Sequence, residues 1–210
     1  MISGIKRDSR FALKNRWGFA ILISIISGVI YAGVPWLIEI VFSGSYDNWV
    51  NNEPGWVTTL GWIITLLLIP ITIGSDWVFL HIARKENAKI RDLFIPFSNG
   101  KLFVRSIGLP VLMWIYTFLW TLLLIIPGII KTLAYSQSYY IYKDHPEYSL
   151  NEIITESRRI MDGHKWDLFL LQLSFIGWAI LSIISLGIGF IWLVPYFNAS
   201  MATFYDQLSK

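Results

Sequence analysis

Long stretches without charged residues alternate along the chain with short polar segments. These stretches cover residues 17–38, the interval between Glu53 and Asp76, the interval between Arg105 and Lys131, and residues 168–205. A helix rises about 1.5 Å per residue and the hydrocarbon layer is about 30 Å thick, so about 20 apolar residues cross it once. Each of the first three stretches predicts one crossing. The last stretch would form a helix of about 57 Å and must therefore fold back.

The sequence SLGIG, residues 185–189, interrupts this last stretch and predicts where the chain reverses. Gly187 and Gly189 adopt positive φ angles at little cost, so we expect a turn here with a helix on each side. Residues 131–142, which follow a Pro-Gly pair at 127–128, are harder to assign because this segment is short and polar. They either cross the membrane or lie along its surface.

The distribution of lysine and arginine favours a crossing by residues 127–143. Basic residues near helix ends concentrate on the cytoplasmic side. With the N-terminal basic cluster inside, the segment 43–56, which has two acids and no base, is external. A crossing then brings the basic segment 143–165 inside, so that sixteen of the seventeen lysines and arginines are cytoplasmic and Lys131 is the exception.

The expected fold is an all-α polytopic integral membrane protein, a single membrane domain over residues 1–210. We expect six transmembrane helices in three hairpins, with both termini cytoplasmic. After a basic lead-in over residues 1–16, the helices are predicted at about 17–40, 57–80, 105–126, 127–143, 166–185 and 188–206. The fourth helix is short, so we expect tilt or local thinning of the bilayer there.

An amphipathic cytoplasmic segment precedes each hairpin: residues 11–17, the sequence IRDLFIPF, and residues 149–162. The last is the clearest, because Ser149 and Glu152 have the spacing of a capping box. Its polar face carries Arg158 and Arg159, and its other face is apolar. This helix either contacts the membrane surface or a partner, or connects two hairpins while packed under the bundle.

Composition agrees with a membrane protein and limits the chemistry. The chain is 55% hydrophobic, 16% aromatic and only 15% charged, whereas soluble domains have about 25% charged residues. With no cysteine, disulfides, thiolate catalysis and cysteine-ligated metals are excluded. The net charge of +3 comes from basic blocks between apolar runs, which predicts contact with the bilayer and its anionic inner-leaflet lipids and no nucleic-acid partner.

Glu39 and Lys131 are ionisable residues near the ends of predicted spans. Both belong to the outer leaflet in this topology, and an unpaired charge in lipid is costly. They form an ion pair between helices, or each side chain extends separately to water.

The predicted fourth, fifth and sixth helices contain polar side chains that we expect to face the interior of the bundle. They either join helices through hydrogen bonds or line a pathway for a solute or lipid. The residues are Tyr135, Gln137, Gln172 and Asn198.

The sequence contains no recognisable catalytic motif. Its three histidines lack metal-ligand spacing, and it has no HExxH sequence and no glycine-rich phosphate loop. We therefore expect no enzymatic activity, cofactor or metal. The leading hypothesis is a scaffold, accessory subunit or envelope-stress or peptide-resistance factor, acting through lipid and a membrane-protein partner or a second copy. The alternative is a small-solute or lipid transporter or channel with its pathway between helices 4, 5 and 6.

The C-terminal half carries a set of motifs that resembles a known family. The motifs are S-x-x-E at Ser149, Ser-Arg at 157, Lys-Trp at 165, Leu-Phe at 168, and the sequences FIGW, LGIG and WLVPY. Upstream, RDLF and IIPGIIKTLAYS extend the similarity over most of the chain. The chain resembles the family called domain of unknown function nine hundred and seventy-five, small polytopic membrane proteins of Gram-positive bacteria. The resemblance implies a bacterial plasma-membrane location and a distant relation to the membrane domain of some glycerophosphodiester phosphodiesterases, but it assigns no catalytic residue.

Overall fold

The structure, a computed structural model, describes residues 2–52 and 54–210, and the expected all-α fold is confirmed. The α-helices are α1 (Ile2–Leu13), α2 (Trp17–Gly28), α3 (Val34–Ser43), α4 (Tyr46–Asn51), α5 (Gly55–Ala83), α6 (Gly100–Leu123), α7 (Ile125–Tyr135), α8 (Ser138–Asp144), α9 (Leu150–Ile160), α10 (Lys165–Leu173), α11 (Ile176–Ile184) and α12 (Phe190–Leu208).

Four helical stretches in the described part of the chain are long and apolar enough to cross a membrane. They are Trp17–Ser43, Gly55–Ala83, Gly100–Leu123 and Lys165–Ile184. The other two predicted crossings correspond to α7 with α8, which are separated by Ser136 and Gln137, and to the 19-residue α12. The structure therefore supports a multi-pass membrane protein with four candidate spans.

The first long helix contains a π-helical turn, Val29–Gly33, between α2 and α3. Pro35 follows this turn in the first turn of α3. Because proline has no backbone N–H and its ring crowds the preceding turn, the regular α-helical hydrogen-bond pattern cannot continue through it. The wider turn accommodates this defect without ending the helix.

The chain reverses between α11 and α12, as the SLGIG sequence predicts, but only one of the two glycines has the expected conformation. Gly187 has φ of 89° and its neighbour Leu186 has φ of 54°. Gly189 has φ of −59°, an ordinary helical value, so the expectation for this residue is wrong. Its lack of a side chain instead allows the close approach of Ser182, because a Cβ atom at residue 189 would lie 2.8 Å from the Cα of Ser182.

Two of the amphipathic segments pack against the bundle. The first is α1, which begins earlier than the predicted segment 11–17 and lies along α12 with Ile5 and Leu13 buried. The second, Ile90–Phe97, forms a 3₁₀ helix against α5. There the carbonyl of Leu93 lies so close to Gly74 that a side chain at residue 74 would overlap it.

Buried residues concentrate at one end of the bundle. In α5, the residues from Ile71 to Ile82 are mostly buried, whereas Trp62 and Leu66 in the first half are exposed. The turn between α6 and α7 and the turn between α11 and α12 are also exposed and strongly apolar. This distribution suits a bundle that packs protein against protein at one end and faces lipid over the rest.

Candidate functional site

The ends of three helices meet in a group of charged side chains. Arg84 follows the last residue of α5, Asp144 ends α8, and Asp206 lies in the last turn of α12. The Arg84 guanidinium donates to both oxygens of Asp144, at 2.7 and 2.5 Å, and through Nε to Asp206 at 3.1 Å. We call the end of the bundle where these three residues meet the ionic end.

Further hydrogen bonds complete this group. The Tyr205 hydroxyl donates to Asp144 at 2.8 Å, and Lys210 donates to Asp206 at 2.8 Å. The hydrogen bond to Asp144 raises the pKa of Arg84 above its usual value. Burial raises the pKa of Asp144, but the hydrogen bonds from Arg84 and Tyr205 outweigh this effect and leave the pKa below its usual value. The bidentate pair is thus ionised at neutral pH and joins α5, α8 and α12.

A second candidate site is a basic cleft between α7 and α9, of about 500 Å³. Four basic side chains line it: Lys131, Arg158, Arg159 and Lys165. Arg159 pairs with Glu156 at 2.5 Å and Lys165 with Asp162 at 3.1 Å. Within residues 2–52 and 54–210, neither Lys131 nor Arg158 has a carboxylate within 4.0 Å. The cleft therefore has an excess of positive charge.

The fold of α9 explains why the cleft forms. The predicted capping box is present: the Glu152 N–H donates to the Ser149 hydroxyl at 3.3 Å, and the Ser149 N–H donates to the Glu152 carboxylate at 2.6 Å. The apolar face of α9, with Ile153 and Ile154, is buried against protein. Arg158 and Arg159 in its last turn are thereby held beside α7.

Ser157 of α9 fixes the break between α7 and α8. Its hydroxyl donates to the carbonyl of Ala134 at 2.8 Å and accepts from the N–H of Gln137 at 3.3 Å. Both backbone groups lie where the helix is interrupted, at Ser136 and Gln137. The Ser157 hydroxyl therefore forms hydrogen bonds with a carbonyl and an N–H that would bond to other backbone groups if the helix were continuous.

The structure does not bring Glu39 and Lys131 together, so the expected ion pair is not formed. The Glu39 carboxylate accepts from the Trp49 indole at 3.3 Å and packs on Gly61 of α5. Lys131 lies over the Trp120 ring, 4.4 Å from its centroid, and lines the basic cleft. The two side chains do not meet because Glu39 lies against α4 and α5, whereas Lys131 lies against α6 and the cleft beside α9.

The four polar residues considered for a pathway are placed in different surroundings. Tyr135 and Gln137 are buried at the junction of α7 and α8, and the Gln137 side-chain oxygen has no hydrogen-bond partner in the described chain. Tyr135 lines a cleft between α5, α6 and α7, whereas Gln172 lines a separate cleft with Phe175 and apolar residues of α11 and α12. Asn198 is half-buried in α12. Tyr135 and Gln172 thus do not share one cavity.

The ionic end was not identified from the sequence, although a signal for it exists. Asp206 follows an uncharged run of 38 residues, and Arg84 and Asp144 also lie at the ends of predicted helices. Charged residues at the ends of helices that share one end of a bundle are at equal depth, which favours pairing. Which ends coincide depends on tertiary packing, so sequence alone does not identify the partners.

Within residues 2–52 and 54–210, no group of three or more histidine or acidic side chains is close enough together to hold a metal ion.

Comparison with known proteins identifies a protein family that covers the chain. The family described as Protein of unknown function (DUF975) matches residues 1–134 and residues 121–210, two overlapping matches that together cover the whole chain. No curated protein and no solved structure matches the chain significantly. The chain therefore belongs to the DUF975 family.

Proposed function

We propose that this protein is a non-enzymatic membrane scaffold or accessory subunit that contacts anionic lipids of the inner leaflet. The single observation that carries this proposal is the basic cleft between α7 and α9. Lys131 and Arg158 line it without a carboxylate partner among the described residues, and each basic residue near an anionic surface contributes about 1 kcal/mol of attraction. Phospholipid phosphates at the membrane surface supply the missing negative charge.

The proposed topology has three hairpins with both termini and the basic cleft on the cytoplasmic side. Contacts at the ionic end support it, since Arg84 bonds both Asp144 and Asp206, and Gln207 donates to Asp8 at 3.1 Å. Residues 8, 84, 144 and 206 are therefore close together. Each intervening segment leaves this end of the bundle and returns to it, as a hairpin does. The basic residues gathered near this end favour the cytoplasm.

In the second hairpin, we propose that the turn between α6 and α7 stays in the apolar layer. The turn, residues 122–126, consists only of leucine and isoleucine, and all five side chains are exposed. Lys131 is only about 9 Å further along the helix, by the rise per residue, and lines the same cleft as Arg158. If α7 runs only a short distance from this turn to the basic cleft, both the exposed apolar turn and the position of Lys131 are explained.

Lipid enrichment tests the proposed function. The protein is reconstituted into vesicles of equal phosphatidylglycerol and phosphatidylcholine, extracted with styrene–maleic acid, and its surrounding lipids are quantified by mass spectrometry. We expect phosphatidylglycerol to be enriched around the native protein and to fall toward the bulk ratio in the double variant Lys131→Gln, Arg158→Gln.

The matched control is Lys14→Gln, Lys101→Gln, which removes the same charge from exposed positions outside the cleft. This control is expected to retain the enrichment. Equal loss in both double variants, or no enrichment around the native protein, contradicts a specific role of the cleft.

A further inference from the structure

A groove of about 520 Å³ lies between α1, α11 and α12. Its composition changes along its length. Lys6 and Arg10 of α1 stand at one end, and the tryptophans Trp178 and Trp192 form apolar walls further along α11 and α12. The groove shares no lining residue with the basic cleft between α7 and α9.

Lys6 and Arg10 are like charges one helical turn apart, a spacing that is unfavourable without a counter-charge. Lys6 donates to the carbonyl of Ser174, at 3.0 Å, and lies 4.3 Å from the centroid of the Phe175 ring. Arg10 donates through Nε to the carbonyl of Lys6 at 3.2 Å, and its outer guanidinium nitrogens form no hydrogen bond with a described residue. Neither residue has a carboxylate within 4.0 Å among the described side chains.

The pKa of Lys6 agrees with a positive site that lacks its counter-charge. Burial and then the charge of Arg10 lower this pKa below its usual value. The nearest acid in the sequence, Asp8, contacts Arg7 and Gln207 instead. A bound anion would relieve the repulsion between Lys6 and Arg10.

The walls of the groove suit a hydrocarbon chain. Trp178, Leu181 and Trp192 expose more than half of their surface, which is unfavourable in water. Trp17 packs on Tyr196 near the basic end, with ring centroids 6.4 Å apart. Tryptophan prefers the boundary between headgroups and acyl chains, where one side of the ring is apolar and the N–H is near polar groups.

We infer that this groove holds one anionic phospholipid, with its phosphodiester between Lys6 and Arg10 and an acyl chain along Trp178 and Trp192. The charge of the basic end selects the headgroup, and the indole walls bury the chain. A free phosphate satisfies only the basic end, so the lipid is the occupant that uses the whole groove. The volume lies within the range of small-molecule sites, about 300 to 1,000 Å³.

Native mass spectrometry of the detergent-solubilised full chain tests this inference. The protein is titrated separately with phosphatidylglycerol and phosphatidylcholine of identical acyl chains. We expect a one-to-one adduct that forms preferentially with phosphatidylglycerol, and we expect glycerol 3-phosphate not to displace it. Full displacement by glycerol 3-phosphate, or equal affinity for the two lipids, overturns the inference.

Substitutions locate the adduct. Lys6→Gln with Arg10→Gln is expected to weaken phosphatidylglycerol binding by about thirtyfold, since each basic residue contributes about fivefold near an anionic headgroup. Arg10→Gln alone, at an exposed position that is not expected to affect folding, should cost about fivefold. The control Arg7→Gln with Lys14→Gln removes the same charge outside the groove and should retain binding.

A second pair of variants tests the apolar walls. Trp192→Ala should weaken the adduct, whereas Trp62→Ala should not, because Trp62 is an exposed tryptophan on α5 outside the groove. Equal effects within either pair overturn the assignment of the adduct to this groove. The double variant Lys131→Gln, Arg158→Gln is expected to keep the one-to-one adduct, so failure of the groove and failure of the basic cleft are distinguishable.

Discussion

Individual side chains at the ionic end hold together helices that are distant in sequence. The carboxylate of Asp144 accepts from both Arg84 and Tyr205, and Arg84 also bonds Asp206. A partly buried charge group of this kind depends on complete pairing, because removing one partner leaves another charge without compensation. The residues are therefore expected to contribute to stability rather than to chemistry.

Asp144→Asn is expected to lower the free energy of unfolding in detergent by about 2 kcal/mol at neutral pH, the usual cost of losing hydrogen bonds to a charged partner. Because the folded-state pKa of Asp144 is lowered, its stabilising contribution is complete above its unfolded pKa of about 3.9 and is lost as the pH falls through the folded value. The difference between the native chain and the variant should be equal at about pH 7 and pH 5, and smaller at about pH 3.

Denaturant unfolding at these three pH values measures this difference. Asp47→Asn is the matched control, since this acid lies exposed in α4 and away from the ionic end. A difference between the native chain and Asp144→Asn that stays constant to the lowest pH contradicts the assigned role of the carboxylate.

At the scale of elements, the interrupted helix α7–α8 organises the centre of the molecule. The interruption at Ser136 and Gln137 lets α9 pack beside α7, and Ser157 of α9 bonds backbone groups on both sides of it. The basic cleft depends on this arrangement, because Lys131 belongs to α7 and Arg158 follows Ser157 in α9.

Ser157→Ala should destabilise the protein by about 1 to 3 kcal/mol, because the carbonyl of Ala134 and the N–H of Gln137 lose a buried partner. Thermal unfolding in detergent measures the change. Thr59→Ala removes a hydroxyl that bonds only its own helix in an exposed part of α5, and should have little effect. A similar loss in both variants would show that Ser157 has no special role at the break.

Sequence reasoning identified the elements better than the contacts between them. Uncharged length predicts the long helices, and the S-x-x-E spacing predicts the start of α9, because both are properties of local sequence. The placement of Lys131 assumed an unbroken helix over residues 127–143, whereas the bond from Ser157 that supports the break comes from 23 residues further along the chain. The sequence predicts a positive φ angle for Gly189. It does not predict the close approach of this glycine to Ser182, because that contact depends on how α11 and α12 pack.

At the scale of the whole molecule, four distant parts of the chain meet at the ionic end. Asp8, Arg84, Asp144 and Asp206 belong to four separate parts of the sequence and lie at the same end of the bundle. In the proposed topology all segments return to one side, so that α1, the basic cleft and the C-terminus face the same compartment. The proposed lipid contacts and the proposed groove both require that compartment to be the cytoplasm.

Cysteine accessibility in intact cells tests this sidedness most directly, because the natural sequence has no cysteine and each introduced one is unique. Single variants Asn48→Cys, Asp162→Cys and Ser209→Cys are treated with a membrane-impermeant maleimide before and after permeabilisation. We predict that residue 48 is labelled in intact cells and that residues 162 and 209 are labelled only after permeabilisation. Labelling of residue 162 or residue 209 from the outside would contradict the account.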